Sequence, residues 1–189
     1  KHPFIIIGAG SFGLRQAVEI WRQKVGDYYL FDRKSGLGGD AWNLIANKTS
    51  KLQSEGPHYQ LMWLPEEQEE YLPHDYGNWP SRQRIIRHFQ ECTERYGIAA
   101  HINLNTEVVD TIFTEDPMDF EGKSYSFEYK RTGDWKTDTQ SVKGSCLTFY
   151  PGCLCVPHRK TWPGEDVFGG QIGYGFSNEF DYRKIMDQY

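Results

Sequence analysis

The 189-residue sequence predicts an α/β fold built on a parallel sheet. Three observations carry that reading. The apolar run Phe-Ile-Ile-Ile at 4–7 reads as a short buried strand, and it stops on Gly8-x-Gly10-x-x-Gly13. Residues 11–25 then follow a helical period, with Leu14, Ala17, Val18 and Trp21 on one face and Gly26 as the stop. Tyr-Tyr-Leu-Phe-Asp at 28–32 reads as a second strand. Strand, glycine turn, helix and strand thus fit within about thirty residues, the length of a βαβ unit.

The three glycines stand where a dinucleotide-binding turn needs them. Gly8 permits the tight turn, Gly10 lets the backbone approach a pyrophosphate, and Gly13 lets helix and strand pack closely. The helix start offers free N–H groups and partial positive charge to phosphates. Asp32 ends the second strand nineteen residues past Gly13, where a carboxylate can accept hydrogen bonds from a ribose. A partly solvated place at the strand end would make Asp32 of little weight for folding. The pattern is that of a Rossmann-like unit. A carboxylate there disfavours a 2′-phosphate and so NADP at this first site, while NAD and FAD both stay open. A second glycine run, Gly-Leu-Gly-Gly-Asp-Ala-Trp at 36–42, reads equally well in two ways. It could let the chain pass close to a long flat cofactor with Trp42 over a ring, or it could be a surface loop with one buried Trp.

The remaining elements follow in order. Residues 41–46 suggest a short helix, and 51–80, with four prolines and the acidic run Glu-Glu-Gln-Glu-Glu, read as irregular. Residues 81–97 form the clearest helix: Ser81 caps it, Ile85, Ile86, Phe89, Cys92 and Tyr96 make one stripe, and Gly97 stops it. Alternating segments at 106–113, 124–131 and 135–142 predict a three-strand antiparallel meander. Cys146 to Tyr150 reads as a more uniformly apolar strand ended by Pro151-Gly152. The tail is rich in Gly, Pro and aromatics, and its glycine cluster lacks the preceding apolar strand that a second dinucleotide turn requires.

Composition narrows the function classes. With 38% apolar and 25% charged residues the chain can form an ordinary globular core. A net charge of −5 with both signs interspersed gives no nucleic-acid surface. There is no apolar run of membrane-span length and no signal peptide, and the four cysteines (Cys92, Cys146, Cys153, Cys155) lack a zinc spacing, so a reducing, cytoplasmic setting is expected. The six histidines are scattered, with no helix-borne pair and no Ser-His-Asp order, so neither a metal site nor hydrolytic catalysis is expected. The chain begins at Lys1 directly before a strand, as a trimmed protein or a piece of a longer one would.

The order Gly-x-Gly-x-x-Gly, acid, then Gly-Leu-Gly-Gly-x-x-Trp resembles the N-terminal FAD-binding half of class B flavoprotein monooxygenases, the flavin-containing, Baeyer–Villiger and N-hydroxylating enzymes. The runs NWPSRQRIIRHFQECTERYGIAAHINLNTEV and SCLTFYPGCLCVPHRKTWPG are also similar to segments of that family, so the resemblance spans nearly the whole chain. It implies that Gly8, Gly10 and Gly13 hold an FAD pyrophosphate, with Ser11 and Phe12 offering backbone N–H groups. Asp32 would bind the adenosine ribose with Arg33 beside the adenine, and Gly39 and Trp42 would line the flavin side. Val108 would present its backbone to the adenine edge, and Gly152 would sit near the cofactor. The meander, about 106–143, would be the insertion usual in this fold.

The resemblance implies an NADPH- and O2-dependent monooxygenase that forms a flavin C4a-(hydro)peroxide and oxygenates a soft nucleophile or a carbonyl. Residues 1–189 would be the first part of the FAD domain, an incomplete one, with the NADPH-binding domain outside this chain on a missing or separate C-terminal half. A non-catalytic or divergent flavoprotein subunit and an NAD-dependent dehydrogenase are the other readings. The sequence departs from the family at three places. Asn47 stands four before Lys51 instead of three, Phe168-x-Gly170 continues to Tyr174 and Asn178 where the family has His and an aromatic, and Tyr150-Pro151 replaces Ala-Thr before Gly152. No catalytic residue is assigned.

Overall fold

The computed structural model describes residues 2–61, 76–115, 123–133, 138–153 and 160–170, with positions 136, 158 and 172. Its centre is β1 (Phe4–Ile7), flanked in parallel by β2 (Tyr28–Phe31) and β7 (Cys146–Phe149). Phe4 is level with Tyr28 and Cys146, and Ile7 with Phe31 and Phe149. A two-residue strand, β3 (Ile102–Asn103), adds to the outer edge of β2, giving the order β3-β2-β1-β7. The chain therefore moves to one side of β1 through β2 and β3 and returns on the other side as β7.

Both faces of the sheet's centre are covered, which is why β1 and β2 read as continuous runs instead of alternating. Ile6 and Leu30 join the helix-side core with Leu14, Ala17 and Val18 of α1 (Ser11–Gln23) and Ile85, Phe89 and Cys92 of α2 (Arg82–Arg95). The alternate positions Ile5 and Phe31 face Phe127 on the other side. Phe127 belongs to the antiparallel sheet of β4 (Thr106–Glu115), β5 (Lys123–Arg131) and β6 (Gln140–Gly144), ordered β4-β5-β6. Packing is tight where the sheets meet, since a Cβ on Gly144 would lie 2.5 Å from Ile5 Cγ1. Helices, parallel sheet and meander make three layers, the α/β architecture with a meander that the sequence predicts.

Several local expectations need correction. Helix α1 ends at Gln23, and its left-handed stop is Lys24 at φ 50°, two residues before Gly26. Trp21 is 45% exposed and leans on the Tyr96 ring at 4.9 Å, while Ile20 takes the buried place expected for it. The third meander strand starts at Gln140, and Trp135 lies outside the described residues. Residues Ala41–Ile45 form one π-helical turn. Strand β3 is too short to leave a periodic trace. The cap on α2 is as expected, Ser81 accepting from the Arg84 N–H at 3.3 Å.

Gly13 fixes how α1 sits on β1: a Cβ there would fall 1.8 Å from the Gly8 carbonyl oxygen. Gly13→Ala should therefore lower the stability of the chain by about 3 kcal/mol through overpacking against backbone that cannot turn aside. Urea unfolding measures this, and an unchanged midpoint would contradict the contact.

His88 on α2 is fully buried and accepts the Leu61 N–H on Nε2 at 3.1 Å, with the Tyr76 ring 5.0 Å away. Burial first, and the Arg84 charge second, push its pKa down to about 4. The folded state thus holds a neutral imidazole while the unfolded chain takes a proton near the ordinary value of about 6.5. Stability should be unaffected by His88 above that value and fall by up to roughly 3 kcal/mol as pH drops toward 4. Comparing His88→Gln with the parent across that window isolates the contribution of this imidazole; parallel acid limbs in the two proteins would refute it.

Candidate functional site

One cleft of about 620 Å³ opens at the carboxyl ends of β1, β2 and β7. It lies where the strand order reverses, with β2 and β3 on one side of β1 and β7 on the other, the switch point at which open α/β sheets bind ligands. Ten of the eleven residues singled out from the sequence line it: Gly8, Gly10, Ser11, Phe12, Asp32, Arg33, Gly39, Trp42, Val108 and Gly152. The eleventh, Gly13, is buried behind the wall against Gly8.

The two glycine loops touch. The Gly38 N–H donates to the Ala9 carbonyl at 2.9 Å, and a Cβ on Gly39 would come within 3.1 Å of Gly10 Cα. Gly39 also has φ +65°, so a side chain would be both strained and obstructed there. Asn43 of the π-helical turn holds the loop in shape, its amide donating to the carbonyls of Leu37 at 2.9 Å and Gly39 at 3.1 Å. Gly10, which caps α1, has open room on its cleft side, the nearest atom to an added Cβ being 3.8 Å away.

Asp32 does not meet the condition of partial solvation under which it would weigh little in folding. It is 8% exposed, and its carboxylate accepts from the Ala9 N–H at 2.6 Å and the Lys34 N–H at 2.7 Å. Its own N–H donates to the Asn103 carbonyl, and its carbonyl accepts from the Thr106 N–H. One residue thus ties together the first glycine loop, the loop after β2, and the start of the meander. The reason is geometric: β2 ends level with β1, so a short acid at its tip meets the neighbouring turn.

The other walls are set by packing. Trp42 is buried edge-on to Tyr59 with ring centres 5.7 Å apart, and its carbonyl accepts from the Arg82 guanidinium at the start of α2. Its indole N–H has no partner among the described residues. The β4–β5 ladder shifts register between Val108 and Asp110, a bulge beside the cleft where Thr106, Glu107 and Val108 form its wall. Tyr150, just past β7, donates its N–H to the Ile7 carbonyl and its hydroxyl to Gln16 at 3.1 Å, and its ring stacks on Phe12 at 6.3 Å. Phe12 is 67% exposed on the rim.

Sequence reasoning missed Lys34, Asp40, Tyr59, Glu107, Phe149 and Tyr150 as cleft residues. Lys34 and Asp40 carried a signal, as charges flanking a glycine loop beside the first. Tyr59 carried none, being in a stretch without periodicity. Asn47 does not line the cleft: its side-chain oxygen accepts from the Thr49 N–H and from the hydroxyls of Thr49 and Ser50, anchoring a turn. Phe168 is exposed, while Tyr174, Asn178 and Cys155 lie outside the described residues. Among the described residues there is no group of three acids, histidines or cysteines able to hold a metal ion, and no helix long and apolar enough to cross a membrane.

Comparison with known proteins agrees with this geometry. No family model matches the chain. Acetone monooxygenase (methyl acetate-forming) of Gordonia sp. (strain TY-5) is 25% identical over 168 residues, 88% of this chain and 28% of that protein. An oxidized steroid monooxygenase bound to NADP has the same fold with a TM-score of 0.67 at 19% identity, over 87% of this chain and 28% of that one. OTEMO, solved in complex with FAD and NADP, matches with a TM-score of 0.59 at 17% identity, over 90% of this chain and 29% of that one. The chain therefore spans just over a quarter of the length of these relatives, and in sequence and fold it is similar to the N-terminal portion of class B flavoprotein monooxygenases.

Because Asp32 satisfies two backbone donors, Asp32→Ala should cost about 2–4 kcal/mol of folding stability even without ligand. A denaturation midpoint equal to that of the parent would show that the residue is dispensable for the fold.

Proposed function

We propose that this chain is the FAD-binding portion of an NADPH- and O2-dependent flavin monooxygenase. The observation that carries the reading is the meeting of two glycine loops at the switch-point cleft, with the acid at the tip of β2 bonded to the first of them. The site fits the cofactor. Gly10 keeps bare backbone on the cleft wall with room that a side chain would fill, Gly39 can pack on it because it carries no Cβ, and a buried indole N–H on the wall lacks a partner among the described residues.

In this reading Ser11 and Phe12 offer backbone N–H groups from the start of α1 to the diphosphate. The Asp32 carboxylate keeps lone pairs beyond its two backbone donors and accepts from a ribose hydroxyl, with Arg33 beside the adenine. Val108 presents backbone polar groups, aimed by the neighbouring bulge, to the adenine edge. Trp42 and Tyr59 wall the flavin end and exclude water from it, and Gly152 lets the chain pass nearby. Bound FAD would supply the redox and oxygen-activating chemistry, while the chain binds, orients and shields it.

The substrate class we assign is a carbonyl compound or a soft nucleophile. The similarity to a protein named as an acetone monooxygenase favours the carbonyl. Residues 1–189 form the first part of the FAD domain, the meander at about 106–143 being its insertion. NADPH is held by a region beyond these residues, and the enzyme acts in the cytoplasm.

Gly10→Ala separates this reading from a purely structural use of the loop. The added Cβ meets no protein atom nearer than 3.8 Å, so the variant should fold with the parent's stability. It should bind FAD at least tenfold more weakly, about 1.4 kcal/mol. Equilibrium dialysis with FAD, followed by its visible absorbance, measures the loss. Equal FAD affinity in the two proteins, or no FAD binding by the parent, would overturn the assignment.

A further inference from the structure

Asp40 follows Gly39 directly and lies on the wall of the same cleft as Gly10 and Ser11. Its side chain is only 8% exposed, and two cations hold it. Lys34 Nζ is 3.1 Å from Oδ1, and an Arg33 guanidinium nitrogen is 3.4 Å from Oδ2. Both cations come from the loop after β2 and are more open than the acid, at 33% for Lys34 and 56% for Arg33. The pairing explains how a carboxylate can be this buried. It does not explain why the carboxylate is there. Through the Gly10–Gly39 contact, Asp40 stands one residue from the backbone that a diphosphate has to approach. The first turn of α1 carries no acid of its own, so its field would otherwise draw anions unopposed.

We propose that Asp40 is a specificity-determining residue of the cleft. It acts as an internal counter-anion that competes with a diphosphate ligand for Lys34. The inference rests on the FAD reading above. Repulsion from a fixed carboxylate grows with ligand charge, so it penalises ADP, whose terminal phosphate is free and more highly charged, more than FAD, whose diphosphate is esterified at both ends. The carboxylate thus lowers affinity for every diphosphate ligand and biases the cleft toward the doubly esterified one.

The test is calorimetric titration of the chain and of Asp40→Asn with FAD and with ADP at one low salt concentration. The variant should bind FAD roughly threefold and ADP roughly tenfold more tightly, the order expected of one like charge removed near a protein surface. ADP affinity that is unchanged or weaker, or an equal gain for both ligands, overturns the role of Asp40. Should Asp40→Asn fail to fold, Asp40→Ser, which removes the same charge with a smaller side chain, is titrated in its place. That variant should likewise gain more affinity for ADP than for FAD, and equal gains refute the proposal. A folded parent chain that binds neither FAD nor ADP refutes the FAD reading itself. Binding of both with no effect of Asp40 refutes only this inference.

Discussion

The architecture depends on a close approach of backbone to backbone around the end of β1. Gly13 rides on the carbonyl of Gly8, the chain beyond β7 passes so near Gly8 that a Cβ there would sit 2.3 Å from the Tyr150 carbonyl oxygen, and Gly39 packs on Gly10. Three segments distant in sequence converge where no side chain stands between them. What remains exposed beside that junction is peptide N–H at the start of a helix, in a crevice that the sheet order opens. The binding capacity proposed for the cleft rests on this scarcity of side chains more than on any single polar residue.

Asp32 shows how the same junction is held. A carboxylate buried at a strand tip would be costly if unpaired, and here two N–H groups from different loops satisfy it. The residue proposed to meet the ribose therefore also shapes the loop proposed to meet the diphosphate. Asp40 shows the converse case, a buried acid satisfied by cations that a ligand could use instead. Two acids in one cleft thus differ in consequence, because one is bonded to backbone and the other to side chains more open to solvent than itself.

Much of this was legible in the sequence because it rests on local rules. The glycine spacing, the run of β1 and β2, the stripe and cap of α2, and the alternation of β4 and β5 each follow from period or turn chemistry. What the sequence did not disclose depends on tertiary proximity. The contact of the two glycine loops, the burial of Asp32 and the arrival of Tyr59 and Tyr150 at the cleft are set by sheet register and by chain returning from far away. Lys24 took the left-handed place expected of Gly26 because helix capping bonds formed two residues earlier. Ile20 is buried on the helix while Trp21, half exposed, covers the buried Tyr96 ring from outside, a tertiary contact that periodicity does not show.

Amide hydrogen exchange of the 189-residue chain with and without saturating FAD tests the central claim most directly. The account predicts that FAD slows exchange in residues 8–13, 36–42 and around Val108, and leaves the far end of the meander near Phe113 and Tyr125 unchanged. Protection confined to other segments, or no protection in the two glycine loops, would contradict it.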